Sequence, residues 1–205
     1  MSDTPHHPDF WNVRYETGRT GWDLGGIPAR LSRYLAAHPS GGRVLIPGSG
    51  SGWELAAFAA AGWDALALDF APAAVTQARA RLGPALAARV LLGDFFTQEI
   101  AGPRFDAIYE RTFLCALPPE LRPAYVRRVH ELLQPEGVLL GFFYLGTERG
   151  GPPYALFPED DQGLLGPAFT LLQDEPSPDA LPLFAGGERW RELRPRPGGA
   201  PRTRV

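Results

Sequence analysis

The sequence predicts a doubly wound α/β fold, and three observations carry that prediction. Short apolar runs alternate with longer stretches of helical periodicity, the order expected when parallel strands are joined by crossover helices. A glycine-rich turn follows the first clear run, and an aspartate closes each of the next two. The chain has 205 residues and 44% hydrophobic content, enough for one domain with a full core.

The first strand is 43–47 (RVLIP), followed by Gly48-Ser49-Gly50-Ser51-Gly52 and a helix over 53–61 that Gly62 can close. A strand over 65–69 (ALALD), a helix over 72–82 with Pro72 in its first turn, and a strand over 89–93 come next. Residues 105–110 (FDAIYE) read as the fourth strand. Leu121, Tyr125 and Val129 share one face of a helix over 119–133, which Gln134-Pro135-Glu136-Gly137 ends before a fifth strand over 138–144. After a Gly/Pro-rich connection over 145–166, strands over 169–175 and 189–194 bring the total to seven, with a Pro-rich excursion between them. Residues 1–40 hold Phe10, Trp11, Tyr15 and Trp22 and then an amphipathic helix over 28–38, and they read as an aromatic lid. The core spans 41–195, and 196–205 reads as a disordered tail.

Composition removes several kinds of chemistry. All 20 basic residues are arginine, so Schiff-base, pyridoxal-phosphate and Walker-type phosphate sites, which need a lysine amine, cannot be built. Cys115 is the single cysteine, and with only His6, His7, His38 and His130 beside it no zinc-ligand spacing exists; no metal is expected. A net charge of -3 argues against a nucleic-acid surface. Neither a membrane-length apolar run nor a signal-peptide pattern is seen, so a cytoplasmic monomer acting on a small molecule is expected.

The glycine turn narrows the ligand. A dinucleotide fingerprint needs G-x-G-x-x-G, but Trp53 stands at the third glycine position and disfavours a pyrophosphate. Asp69 at the end of the second strand suits two ribose hydroxyls, and Asp94 with Phe95 after the third suits an adenine amino group and ring. Adenosine recognition without phosphates points to S-adenosylmethionine, whose sulfonium suits Trp11, Tyr15 and Trp22 through cation-π attraction. Each piece also has a plainer reading: Gly48 to Gly52 as a tight turn, Asp69 and Asp94 as helix caps, the aromatics as core.

Four segments together resemble the thiopurine S-methyltransferase superfamily: Phe10-Trp11-x-x-x-Tyr15 through Trp22-Asp23-x-Gly25, Val44-Leu45-Ile46-Pro47-Gly48-Ser49-Gly50, Phe105 to Arg111, and Gly151-Pro152-Pro153-Tyr154. The run from Thr112 to Pro123 is most similar to its halide/thiol methyltransferase branch. Arg111 stands where that branch tends to tyrosine and the thiopurine branch has arginine. The resemblance implies a Rossmann-like class I methyltransferase fold, mostly parallel with an antiparallel last strand. It also implies that Trp11, Tyr15 and Trp22 fold over the cofactor, Gly48, Gly50 and Asp69 hold its methionine and ribose portions, and Asp94-Phe95 its adenine. Arg111 would lie beside the cofactor's methionine end and the incoming nucleophile, with Trp22, Phe113 and Tyr144 around that nucleophile.

A thiol, bisulfide, thiocyanate or halide acceptor arrives anionic or nearly so, and methyl transfer to it needs alignment more than a base. Arg111 would attract the anion or lower a thiol's pKa, or else be a structural partner of Glu110 or of the cofactor carboxylate. Cys115 reads as a small buried hydrophobe and His130 as a surface residue. The competing readings are a transferase for aromatic or heterocyclic thiols, and a nucleotide-binding module without transferase activity.

Overall fold

A computed structural model describes residues 4–184 and 186–199. It divides into two compact units, Met1–Ala101 and Gly102–Val205.

The first unit runs α1 (Pro8–Glu16), α2 (Ala29–Ala37), β1 (Arg43–Pro47), α3 (Trp53–Ala60), β2 (Asp64–Asp69), α4 (Pro72–Ala87) and β3 (Val90–Leu92). β1 and β3 both pair parallel with β2. Val44, Leu45 and Ala67 have no exposed surface, which is why these strands read as unbroken apolar runs rather than alternating ones. α1 was not legible as a helix, because its aromatics show no clean apolar face. Its start is nevertheless local chemistry: Pro8 opens the first turn and His7 Nδ1 accepts the Asp9 N–H at 3.3 Å. α4 outlasts its expected end at Leu82. Gly83 leaves helical geometry at φ +74°, and Pro84, with its pre-set φ, starts a further turn to Ala87.

The second unit runs β4 (Phe105–Arg111), α5 (Arg122–Leu132), β5 (Leu133–Tyr144), β6 (Phe169–Pro176) and β7 (Glu188–Pro195). β4 and β5 are parallel, while β7 is antiparallel to both β5 and β6. Seven strands, mostly parallel with an antiparallel last strand, are the α/β fold expected. β5 begins five residues before its predicted start, because Leu133 already pairs with Phe105 and a register shift after it absorbs the supposed turn. α5 starts late, after a 3-10 turn over Pro119–Leu121.

The expected connection over 145–166 contains structure of its own, an irregular helical run over 158–168. Buried arginines fasten it. Arg122 Nη1 meets Asp160 at 3.0 Å, and Arg191 bridges Asp161 at 2.6 Å and Asp174 at 3.1 Å. At the expected tail, Arg196 donates to the carbonyls of Gly166 and Phe169 at 3.1 and 2.9 Å, so order continues past residue 195; residues 200–205 lie outside the described residues. Among the described residues no helix is long and apolar enough to cross a membrane.

Candidate active site

In the first unit the site is organised by the turn after β1. Gly48, Gly50 and Gly52 adopt φ of +60°, +49° and +72°, a left-handed conformation that side chains rarely tolerate, so the spacing of the three glycines is a backbone requirement. Asp69, at the carboxyl end of β2, reaches back to this turn. Its Oδ2 accepts the Gly50 N–H at 2.9 Å and its Oδ1 accepts the Ala71 N–H at 2.9 Å. Burial pushes the carboxyl up from its ordinary range and these N–H donors pull it back. Two oxygens carry roughly four lone-pair sites, so acceptor capacity remains after both bonds. Ser49 Oγ is buried without a hydrogen-bond partner among the described residues.

The expected aromatics come together beside that turn. Trp22 packs edge-on against Trp11 and Tyr15, with centroids 5.4 and 5.9 Å apart, and donates its Nε1–H to Tyr15 Oη at 3.4 Å. Tyr15 is buried against Ala71 and Ala74, and a Cβ placed on Gly50 would lie 2.6 Å from its hydroxyl. Burial first, and the Asp69 charge second, push that phenol up. Tyr15 is therefore core and site neighbour at once. α1 is tied to α4 by Asn12, whose Oδ1 accepts the Ala73 N–H at 3.0 Å, and by Gln77, which donates to the Tyr15 carbonyl at 2.9 Å.

Sequence reasoning missed Asp23. Its carboxylate accepts the Trp53 Nε1–H at 3.0 Å and the Ser51 hydroxyl, joining the aromatic segment to the glycine turn and the start of α3. The signal was its place directly after Trp22. Asp94 is exposed after β3, where it accepts the Phe96 N–H at 2.9 Å. Phe95 is only 3% exposed, and the half-buried ring at this place is its neighbour Phe96, edge-on at 5.6 Å.

In the second unit Arg111 ends β4. It is 9% exposed, lies 4.9 Å from the Phe142 ring centroid, and leaves Nη2 buried with no hydrogen-bond partner among the described residues. It is not held by Glu110, because successive strand residues point to opposite faces. Glu110 was passed over as a candidate. Its Oε1 accepts the N–H groups of Phe113 and Leu114 at 2.9 and 2.8 Å, and its Oε2 accepts the Tyr125 hydroxyl at 2.9 Å. Those bonds fix the turn directly after Arg111, where Thr112 takes φ +59°, a costly conformation for a β-branched residue. Burial raises the Glu110 carboxyl to about 7.

Glu110 also borders a cavity of about 10 Å³, together with Cys115, Tyr144, Tyr154, Leu156 and Phe184. Tyr144 stacks on Phe184 at 4.6 Å, and Phe113 lies 6.1 Å from Tyr125. Cys115 is buried, and burial with the nearby Glu110 and Glu188 charges drives its thiol up, so it is no nucleophile. His130 departs from its expected surface position. It is half-buried, with Nε2 2.7 Å from the Ala168 carbonyl and its ring against Phe169.

The glycine turn, the buried Asp69 and the packed rings of Trp11, Tyr15 and Trp22 lie together by the carboxyl ends of β1 and β2, the end at which open α/β sheets bind their ligands. A solved 1,6-didemethyltoxoflavin-N1-methyltransferase of Burkholderia thailandensis, with bound S-adenosylhomocysteine, shares this fold: TM-score 0.72, 22% identity, covering 93% of this chain and 87% of that one. The family model described as thiopurine S-methyltransferase matches residues 6–186. Among similar sequences, a probable thiol methyltransferase 2 of Arabidopsis thaliana is 35% identical over 175 residues, 80% of this chain and 76% of the relative. A thiocyanate methyltransferase 1 of the same plant is 31% identical over 193 residues, 89% and 84% of the two chains. The chain belongs to the thiopurine S-methyltransferase family and is an S-adenosylmethionine-dependent methyltransferase.

Proposed function

We propose that this enzyme methylates a small anionic nucleophile, a thiol, bisulfide, thiocyanate or halide. When bound, S-adenosylmethionine supplies a methyl group on a positively charged sulfur that departs as a neutral thioether. The first unit suits that donor. The left-handed glycines let backbone approach a ligand closely, Ser49 Oγ is a buried hydroxyl without a partner among the described residues, and Asp69 keeps acceptor capacity for ribose hydroxyls. Tyr15, Trp11 and Trp22 would cover it, their ring faces favouring a cation, and Asp94 would take the adenine amino group.

The observation that carries the acceptor class is Arg111, a buried cation at the carboxyl end of a parallel strand with one nitrogen that has no hydrogen-bond partner among the described residues. A cation held beside the Phe142 ring attracts an anion and strips its water, and a desolvated anion is the stronger nucleophile. No side chain is required to remove a proton from such an acceptor. The names of the thiol and thiocyanate methyltransferase relatives support the same class. A second reading, aromatic or heterocyclic thiols, is favoured by Arg111 being the residue of the thiopurine branch.

A panel of iodide, thiocyanate, bisulfide and an aromatic thiol, followed through S-adenosylhomocysteine release, tests the proposal. Turnover of the small anions is expected, and turnover of the aromatic thiol alone would replace the first reading by the second.

A further inference from the structure

Arg111 has a counter-charge that the acceptor chemistry above does not use. Directly opposed residues of paired strands point to the same face. Arg111 pairs with Phe142, Phe142 with Trp190, and Tyr144 with Glu188, which places Arg111 and Glu188 on one face, two strands apart. Glu188 is only 1% exposed. Its Oε2 accepts the Leu181 N–H at 3.0 Å, while Oε1 is buried without a hydrogen-bond partner among the described residues. The cation and the carboxylate thus each retain a buried, unpaired atom. Their charges nonetheless interact: burial raises the Glu188 carboxyl, and the Leu181 N–H and then Arg111 draw it back, against a smaller opposing push from Asp179. From a further element Glu188 acts in turn on the Cys115 thiol.

We propose that Glu188 is a specificity-determining residue, the counter-charge that limits how tightly the Arg111 site holds a free anion. An arginine alone in a low-dielectric pocket would bind halide or thiocyanate strongly. With a carboxylate on the same face, the pair presents little net charge, and an incoming anion meets repulsion along with attraction. A thiol entering with its proton meets no such penalty on binding; it then loses that proton to solvent water and becomes the thiolate beside Arg111 before the methyl group moves. Glu188 therefore biases the enzyme toward thiols, acting through the field at Arg111 and not through contact with the reacting atoms. This inference rests on Arg111 receiving the acceptor.

The test is Glu188→Gln, assayed with iodide, thiocyanate and a neutral alkyl thiol at saturating donor. The KM for both anions is expected to fall about tenfold, with the thiol KM changed less than about twofold. Packing damage alone does not produce tighter anion binding, so an improved KM is a readout that a merely structural role would not move. Glu188→Met, which has no polar atoms left to satisfy, is measured beside it with thermal unfolding, in case the amide cannot pair in the buried position. Anion KM values that stay constant or rise in both folded variants overturn the proposal. Arg111→Met separates the two claims. If it leaves the iodide KM unchanged, the acceptor role of Arg111 fails; if it raises that KM while the Glu188 variants do not lower it, only the role of Glu188 fails.

Discussion

The Asp69 carboxylate accepts the backbone N–H of Gly50 at 2.9 Å, tying the end of the second strand to the glycine turn that follows the first. The other oxygen holds the N–H of Ala71 just ahead of α4. One side chain therefore shapes the ligand turn and orders the next helix. Asp69→Ala should leave two buried N–H groups unpaired, at roughly 1–3 kcal/mol each, and also remove the acceptors offered to ribose. Lower thermal stability is expected together with S-adenosylhomocysteine binding weakened by about tenfold or more. Calorimetry at a temperature where the variant is folded checks it, and unchanged affinity would confine Asp69 to a structural role.

The Tyr15 hydroxyl occupies the space that a Cβ on Gly50 would need, at 2.6 Å. Gly50→Ala thus carries two costs, a clash with Tyr15 and a left-handed φ of +49° worth about 1–2 kcal/mol. Only the clash depends on the hydroxyl. Tyr15→Phe in the Gly50→Ala background should recover the steric part and leave the backbone part. A double-mutant cycle on unfolding free energy should then show coupling of about 0.5 kcal/mol or more, and strict additivity would contradict the packing of α1 over the turn.

The parts of the fold that were legible share a physical cause. Strands buried on both faces leave continuous apolar runs, as in Leu45 and Ala67, and glycines forced to positive φ leave a fixed spacing, as at Gly48, Gly50 and Gly52. What stayed hidden depends on long-range partners. α1 has no apolar stripe and is held by Gln77 and Ala73 from α4, while the run over 158–168 is fastened by Arg122 and Arg191. Site residues divide in the same way. Asp69 and Arg111 were marked by strand ends, but Glu110, one place earlier, looked like the structural partner of Arg111. Only the three-dimensional turn reveals that it receives Phe113, Leu114 and Tyr125. Gly141 was equally silent. It sits opposite Glu110 at φ +138°, where a Cβ would overlap the Glu110 carbonyl oxygen, so the close approach of β4 and β5 requires glycine.

Glu110 gives the fold a pH dependence with a definite sign. Its carboxyl is raised from 4.5 to about 7, by burial above all, against the pull of the Leu114, Tyr125 and Phe113 donors. Tyr125 and Cys115 face it and are themselves pushed up, so neither supplies a compensating charge in this range. Between the two values the folded protein keeps a proton that the unfolded chain has released. The native state then binds more protons, and stability falls as pH rises through that window, by up to about 3 kcal/mol. Glu110→Gln cannot ionise, and its amide can still accept the two backbone N–H groups while Tyr125 turns to accept from the amide nitrogen. Urea unfolding of both proteins at about pH 5 and about pH 8 isolates the effect, since other carboxyls contribute equally to each. The wild type should lose more stability than the variant between those conditions, whereas parallel losses would mean that Glu110 does not carry its proton into the neutral range.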